Sequence, residues 1–175
     1  MGKNDLGNMS PEEIEKKAQE VLKKMKNENI SAAQAMGMNE EFLEEMYSLA
    51  HAHYERGNYT ESIALFQFLA GVSPGTHKYM MGLAANYHQI GQYEDAINGF
   101  HVALNSNPED PVPIFYIGDC LMKLGMEGEA ASFFQIVAEI GDEFPEYKEF
   151  REKSRLILSH LKEKGVSPKP LHDDA

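Results

Sequence analysis

The chain has 175 residues, 42% of them apolar and 25% charged, with 28 acidic against 16 basic side chains and a formal charge of −12. That length suffices for one domain with a sizeable core. The acidic balance argues against nucleic acid or an anionic membrane surface as partner, because both are held by clustered Lys and Arg. A single cysteine, Cys120, excludes an internal disulfide and a multi-cysteine metal site, and it fits a reducing compartment. Residues 1–9 are polar, lack the apolar run of a signal peptide and are expected to fray. No stretch approaches the roughly 18 apolar residues of a membrane span. Ser10-Pro11-Glu12-Glu13 reads as a helix start, with Ser as N-cap, Pro at the first helical position and Glu two further on. Ile14, Ala18, Val21, Leu22 and Met25 then share one face, which predicts a helix over about 11–27. So short an apolar stripe must dock on something. Two partners are open, the body of its own chain or a second copy. Residues 28–41 read as a short helical or irregular connector, and Asn39-Glu40-Glu41 starts the next helix near Phe42.

From residue 43 the chain repeats every 34 residues. Gly57, Gly91 and Gly125 mark the period. Leu49, Leu83 and Ile117 share a column, as do Ala50, Ala84 and Gly118, and Ser62, Ala96 and Ala130. So do Phe66, Phe100 and Phe134, and then Leu69, Ala103 and Val137. This period is the mark of tetratricopeptide repeats, here at 43–76, 77–110 and 111–144. The predicted fold is all-α: three tandem helical hairpins forming a short right-handed superhelix, with flanking helices at either end. Each unit has a small residue where its two helices approach, a glycine that permits the turn and a Phe that plugs the core. Pro74 and Pro108 close two units, whereas Asp142 stands at that column in the third. Glu127 replaces the aromatic of Tyr59 and Tyr93, so the third unit is the least regular. Residues 145–164 are expected to cap the stack, starting at Pro145, with Phe150, Ser154, Ile157, Leu158 and Leu161 on one stripe. Gly165 ends that helix, and 165–175, with two prolines and no core residue, is expected to be disordered.

Little here suggests chemistry. His51 and His53 are two apart on a helix and diverge, whereas a metal pair on a helix sits four apart. No Walker loop, GxSxG, dinucleotide fingerprint or HExxH occurs. Cys120 reads as a small buried residue. No catalytic residue, metal ligand or cofactor site is predicted. Repeats of this type curve, and the first helix of each unit lines the concave side. The lining columns hold Glu44, Tyr47, His51, Tyr54 and Glu55, then Lys78, Met81, Ala85, His88 and Gln89. The third unit supplies Val112, Phe115, Asp119, Met122 and Lys123. Rigid tyrosines, adaptable methionines and a charged margin suit an extended, partly apolar peptide. The other reading is that these side chains pack against a terminal segment of the same chain. A clamp for a C-terminal carboxylate is not present: Tyr47, His51, Gly82, Val112 and Tyr116 stand where Lys, Asn and Arg donors would be needed.

The local strings resemble one family. FLEEMYSLAHAHYERGNYTESIALFQFLA (42–70), YMMGLAANYHQIGQYEDAI (79–97) and PVPIFYIGDCLMKLG (111–125) resemble the three repeats of the class II type III secretion chaperones, the LcrH/SycD family. The third string includes Phe115, Gly118 and Cys120, and NISAAQAMGMNEEFLEEMY resembles the family's junction into the first repeat. The resemblance implies a bacterial cytoplasmic chaperone of hydrophobic translocator proteins. A translocator segment of Pro-x-Leu-x-x-Pro type would lie in the groove against Tyr47, His51, Tyr54, Met81, Ala85, His88 and Phe115. His51 departs from the aromatic residue frequent at its column. The resemblance also implies a homodimer of the free protein through the N-terminal region, at 1–42. A generic scaffold joining two proteins is the alternative that the repeats alone allow.

Overall fold

The computed structural model describes residues 10–170. The expectations for 1–9 and 171–175 lie outside the described residues. Among the described residues there are nine α-helices and no strand: α1 (Pro11–Glu28), α2 (Ala32–Ala35), α3 (Glu40–Glu55), α4 (Tyr59–Val72), α5 (His77–Gln89), α6 (Tyr93–Ser106), α7 (Val112–Lys123), α8 (Glu127–Ala138) and α9 (Lys148–Glu163). The helices α3–α4, α5–α6 and α7–α8 are antiparallel hairpins stacked in chain order, and α9 closes the stack on α8. This is the all-α tetratricopeptide architecture.

Local chemistry sets the helix starts. The Ser10 hydroxyl accepts from the Glu13 amide at 3.3 Å while the Glu13 carboxylate takes the Ser10 amide at 2.7 Å. Each side chain thus satisfies an amide left free at a helix start. The Asn39 side chain accepts from the Phe42 amide at 3.0 Å to begin α3. Each hairpin turn then needs a left-handed residue. Gly57, Gly91 and Gly125 take φ of +77°, +78° and +77°, which costs a residue with a Cβ about 1 kcal/mol or more.

Packing follows the columns. Phe66, Phe100 and Phe134 are buried against Ala50, Ala84 and Gly118, whose small size lets the paired helices approach. Two buried clusters result, one through the first unit and the start of the second, the other from α5 to α8, and Tyr87 packs against both. Leu49 breaks the column: it is 46% exposed where Leu83 and Ile117 are 9% and 1% exposed. Leu83 packs against the preceding unit's Phe66 and Leu69. The first unit has no predecessor, so its leucine has nothing to pack on. The helix α1 does not supply that cover; it packs mainly against α2 and leaves Ile14 and Leu22 at 46% and 63% exposure.

The C-terminal cap uses a group that the apolar stripe does not predict. Arg151 on α9 is 4% exposed. It donates to the Gly141 carbonyl at 2.8 Å and to Asp142 at 2.8 Å, while Arg155 donates to the Ala138 carbonyl at 3.2 Å. Arg155 thus occupies the carbonyl at the end of α8, where no helical partner exists, and Arg151 ties down the loop that follows. Arg151→Ala is expected to lower stability by about 2–3 kcal/mol in a urea melt, since a buried, charged donor to a part-buried carbonyl is lost. Asp142→Ala should cost under about 1 kcal/mol, because its carboxylate is 91% exposed and Arg151 keeps its carbonyl bond. Equal losses would mean that the ion pair, not the carbonyl bond, anchors α9.

One expectation is corrected within the described residues. The segment 166–170 is not loose but lies along α8. The Lys169 amide donates to the Gly128 carbonyl at 3.0 Å, the Ser132 hydroxyl donates to the Lys169 carbonyl, and Lys169 pairs with Glu129 at 3.0 Å. A Cβ on Gly128 would sit 2.9 Å from the Lys169 side chain, so glycine makes the approach possible. Composition misleads here because backbone hydrogen bonds need no apolar side chain.

Candidate functional site

The concave side is built by α3, α5 and α7. It holds a groove of ≈ 420 Å³. On α3, Tyr47, His51 and Tyr54 follow at helical spacing and form one wall. Their ring centroids are 6.2 Å and 6.3 Å apart along the series. Tyr47 is fixed from behind by Phe66 at 5.9 Å, edge to face, and by Tyr79 at 6.0 Å. Tyr54 packs on Tyr59 at 5.7 Å and accepts from the Gln89 amide at 3.3 Å. Both tyrosines are therefore held in place before any ligand arrives, which lowers the entropy cost of binding.

The floor comes from α5. Met81 and Ala85 face the groove, and Gly82 between them packs directly on the Phe66 ring. A Cβ on Gly82 would lie 2.3 Å from that ring, inside any allowed contact. Phe66 is 1% exposed and cannot simply swing away. Gly82→Ala is therefore expected to destabilise by about 1–2 kcal/mol net, overpacking outweighing alanine's better helix propensity. A thermal melt at or above that of the unaltered protein would contradict this close packing.

The far wall joins α5 to α7. The Nε2 atom of His88 lies 2.6 Å from the Asp119 carboxylate. That bond holds the Asp119 carboxyl below its ordinary range, against the opposing effect of burial. Tyr116 stacks on Phe100 at 5.3 Å and meets His88 edge to face at 5.8 Å. At the near rim Lys78 pairs with Glu44 and sits 4.8 Å over the Tyr47 ring. The Glu44 hydrogen bond raises the Lys78 pKa, so Lys78 stays protonated within that ion pair.

Nine residues of the expected lining columns are brought together there: Tyr47, His51, Tyr54, Lys78, Met81, Ala85, His88, Gln89 and Val112. Phe115, Asp119 and Met122 are not on the lining. Phe115 is 8% exposed, with Phe134 at 5.5 Å and Phe150 at 5.2 Å. The cap α9 lays Phe150 over the third unit, so Phe115 becomes core and the groove ends at α7. Asp119 instead acts through His88, and Met122 packs against the core of the last two units. Tyr116, one column later than Phe115, takes the lining position that Phe115 was expected to hold. The mismatch of Ser48, Gly82 and Tyr116 at that column is the sequence signal that could have pointed to it.

Cys120 is fully buried, and burial pushes its thiol up to about 12, so it stays protonated and unreactive at neutral pH. His51 is exposed and reaches Glu55 at 3.5 Å. Among the described residues no group of three or more His, Cys, Asp or Glu is placed to hold a metal ion. Among them, too, no helix is long and apolar enough to cross a membrane.

Comparison with known proteins agrees with this architecture. A tetratricopeptide-repeat family model matches residues 77–110. Low calcium response locus protein H of Yersinia pseudotuberculosis is 29% identical over 120 residues, covering 69% of this chain and 71% of the relative. Chaperone protein SicA of Salmonella dublin is 25% identical over 148 residues, covering 85% and 87%. The translocator chaperone SycD of Yersinia enterocolitica, solved in complex with a peptide of the translocator YopD, superposes with a TM-score of 0.69 at 28% identity, over 73% of this chain and 98% of that one. The chain is thus a tetratricopeptide-repeat relative of the LcrH and SycD chaperones.

Proposed function

We propose that this chain is a type III secretion chaperone that acts in the bacterial cytoplasm on hydrophobic translocator proteins. It holds an extended translocator segment, of Pro-x-Leu-x-x-Pro type, in the concave groove and keeps the client soluble until export. The observation that carries the reading is the groove itself: a pre-organised tyrosine wall, an apolar floor of Met81 and Ala85, and no cationic clamp at its centre. The relatives' names and the peptide-bound relative support the same reading. Tyr47, His51, Tyr54, Met81, Ala85 and His88 are the proposed contacts, with Tyr116 added to them.

The mechanism needs no nucleotide. A proline-rich segment is already extended, so docking it costs little conformational entropy. Holding it prevents premature association of a sticky client, and the charge of −12 keeps the complex dispersed. Release falls to the secretion machinery. When no client is bound, two copies pair through the N-terminal region. The exposed Ile14, Leu22 and Leu49 support this.

Co-expression tests the proposal against a plain scaffold. With a translocator encoded nearby, the chain is expected to move the client from the insoluble to the soluble fraction and to co-purify with it. A client equally insoluble with and without the chain would leave only the scaffold reading.

A further inference from the structure

Three histidines line the groove, and they differ in what they have left to offer a ligand. His77 has both ring nitrogens engaged, Nδ1 with the Ala103 carbonyl and Nε2 with Asp110, each at 2.9 Å. His51 is exposed, and its Nδ1 atom lies a loose 3.5 Å from Glu55. His88 is half-buried and held tightly on one side only, with Nε2 at 2.6 Å from Asp119. Tyr93 on α6 and Tyr116 on α7 brace its ring, each at 5.8 Å and near edge to face. The Nδ1 atom of His88 has no hydrogen-bond partner among the described residues and is not shut away from solvent.

The position of the proton follows from the partner. An ionised carboxylate only accepts hydrogen bonds. The His88 bond holds the Asp119 carboxyl below its ordinary range, and Lys123 on the same helix adds to this against the effect of burial. The Nε2 atom therefore carries the proton of the pair. A ring with one proton then has a bare lone pair on Nδ1, an acceptor whose direction is fixed. The tyrosine hydroxyls of the groove differ, since each can rotate to donate or to accept.

We propose that His88 takes a backbone N–H from the client's extended segment, and that Asp119 is the positioning residue that fixes the tautomer able to do so. The proposal rests on the chaperone reading above. A segment that covered Nδ1 without bonding to it would lose affinity by about fivefold or more. An extended segment brings N–H groups with the same need for a partner, because no helix or sheet satisfies them. One bond meets both needs. Proline has no N–H. A proline therefore cannot be the residue over His88, and this contact sets the register in which a Pro-x-Leu-x-x-Pro segment docks.

The test uses the full chain and a set of Pro-x-Leu-x-x-Pro peptides, each with one backbone N–H replaced by an ester oxygen. Calorimetric titration is run at about pH 8, where an ordinary histidine ring carries one proton. One ester peptide is expected to bind at least about fivefold more weakly than its amide parent. His88→Phe keeps a ring but no acceptor, so in that variant the same ester should lose its penalty. Nitrogen-15 spectra of the ring read the tautomer directly: Nε2–H alone in the unaltered protein, a mixture with Nδ1–H in Asp119→Ala. Asp119→Ala should accordingly shrink the ester penalty. A loss of affinity shared equally by amide and ester peptides would make Asp119 merely structural and overturn its positioning role. An Nδ1–H tautomer in the unaltered protein, or an ester penalty that persists in His88→Phe, overturns the proposal as a whole. If the amide parent itself fails to bind, the groove reading falls and this inference with it. Binding of the parent with no ester penalty at any position removes only the role of His88.

Discussion

Replacing Tyr47 and Tyr54 together by alanine is expected to weaken binding of a Pro-x-Leu-x-x-Pro peptide at least about a hundredfold. Buried tyrosine anchors lose about 2 kcal/mol or more each on truncation, roughly thirtyfold apiece. The two are not independent. His51 lies between them at 6.2 Å and 6.3 Å, so the loss of one wall segment loosens the next. Their single effects should therefore not simply add. Tyr47→Ala has a second consequence, since its ring packs on Phe66 and Tyr79 and part of the damage will appear as lost stability. Tyr54→Phe separates shape from hydrogen bonding. It keeps the ring against Tyr59 and removes only the bond from Gln89, so it should cost little affinity. Calorimetric titration, with thermal melts as the control for folding, measures all four variants. Unchanged affinity in the double variant would remove the groove as the binding site.

Phe100→Ala is expected to be the most damaging single core change, at about 3–5 kcal/mol. Such a loss is a large fraction of the total stability of a domain this size. The residue is fully buried, plugs the middle unit and belongs to the cluster that runs on into the third. Stability in stacked repeats is carried from neighbour to neighbour, so a break in the middle uncouples both ends. Phe100 also supports the far wall of the groove through the Tyr116 stack at 5.3 Å. The variant should thus lose peptide affinity as well as stability. Tyr116→Ala, which truncates a half-buried ring, should lose affinity with a smaller drop in stability. Urea melts followed by circular dichroism distinguish them. A loss below about 1.5 kcal/mol for Phe100→Ala would mean that the core can collapse around the gap, against the packing described.

Much of this was legible in the residues because it is local. A helix start depends on four or five neighbouring side chains, which is why Ser10 and Asn39 could be read directly. The turn glycines are a backbone requirement that a 34-residue period displays three times over. The core plugs follow from the same period, and so does most of the groove on α3 and α5, where one face of a helix is a fixed set of columns.

What needed the tertiary structure was every contact between distant segments. Phe115 sits at a lining column, yet Phe150, thirty-five residues later, covers it and ends the groove at α7. Arg151 lies on a stripe that looks like solvent-facing charge until the end of α8 is placed beside it. Residues 166–170 look loose by composition but find backbone partners on α8. Leu49 matches Leu83 in sequence and differs in burial because only one of them has a unit before it. Periodicity by itself determined the repeats, their plugs and their turns, since each is set by side chains within one helical hairpin. Only the tertiary structure decided where the groove stops and which repeat leucine is left bare, because burial depends on what packs from elsewhere in the chain.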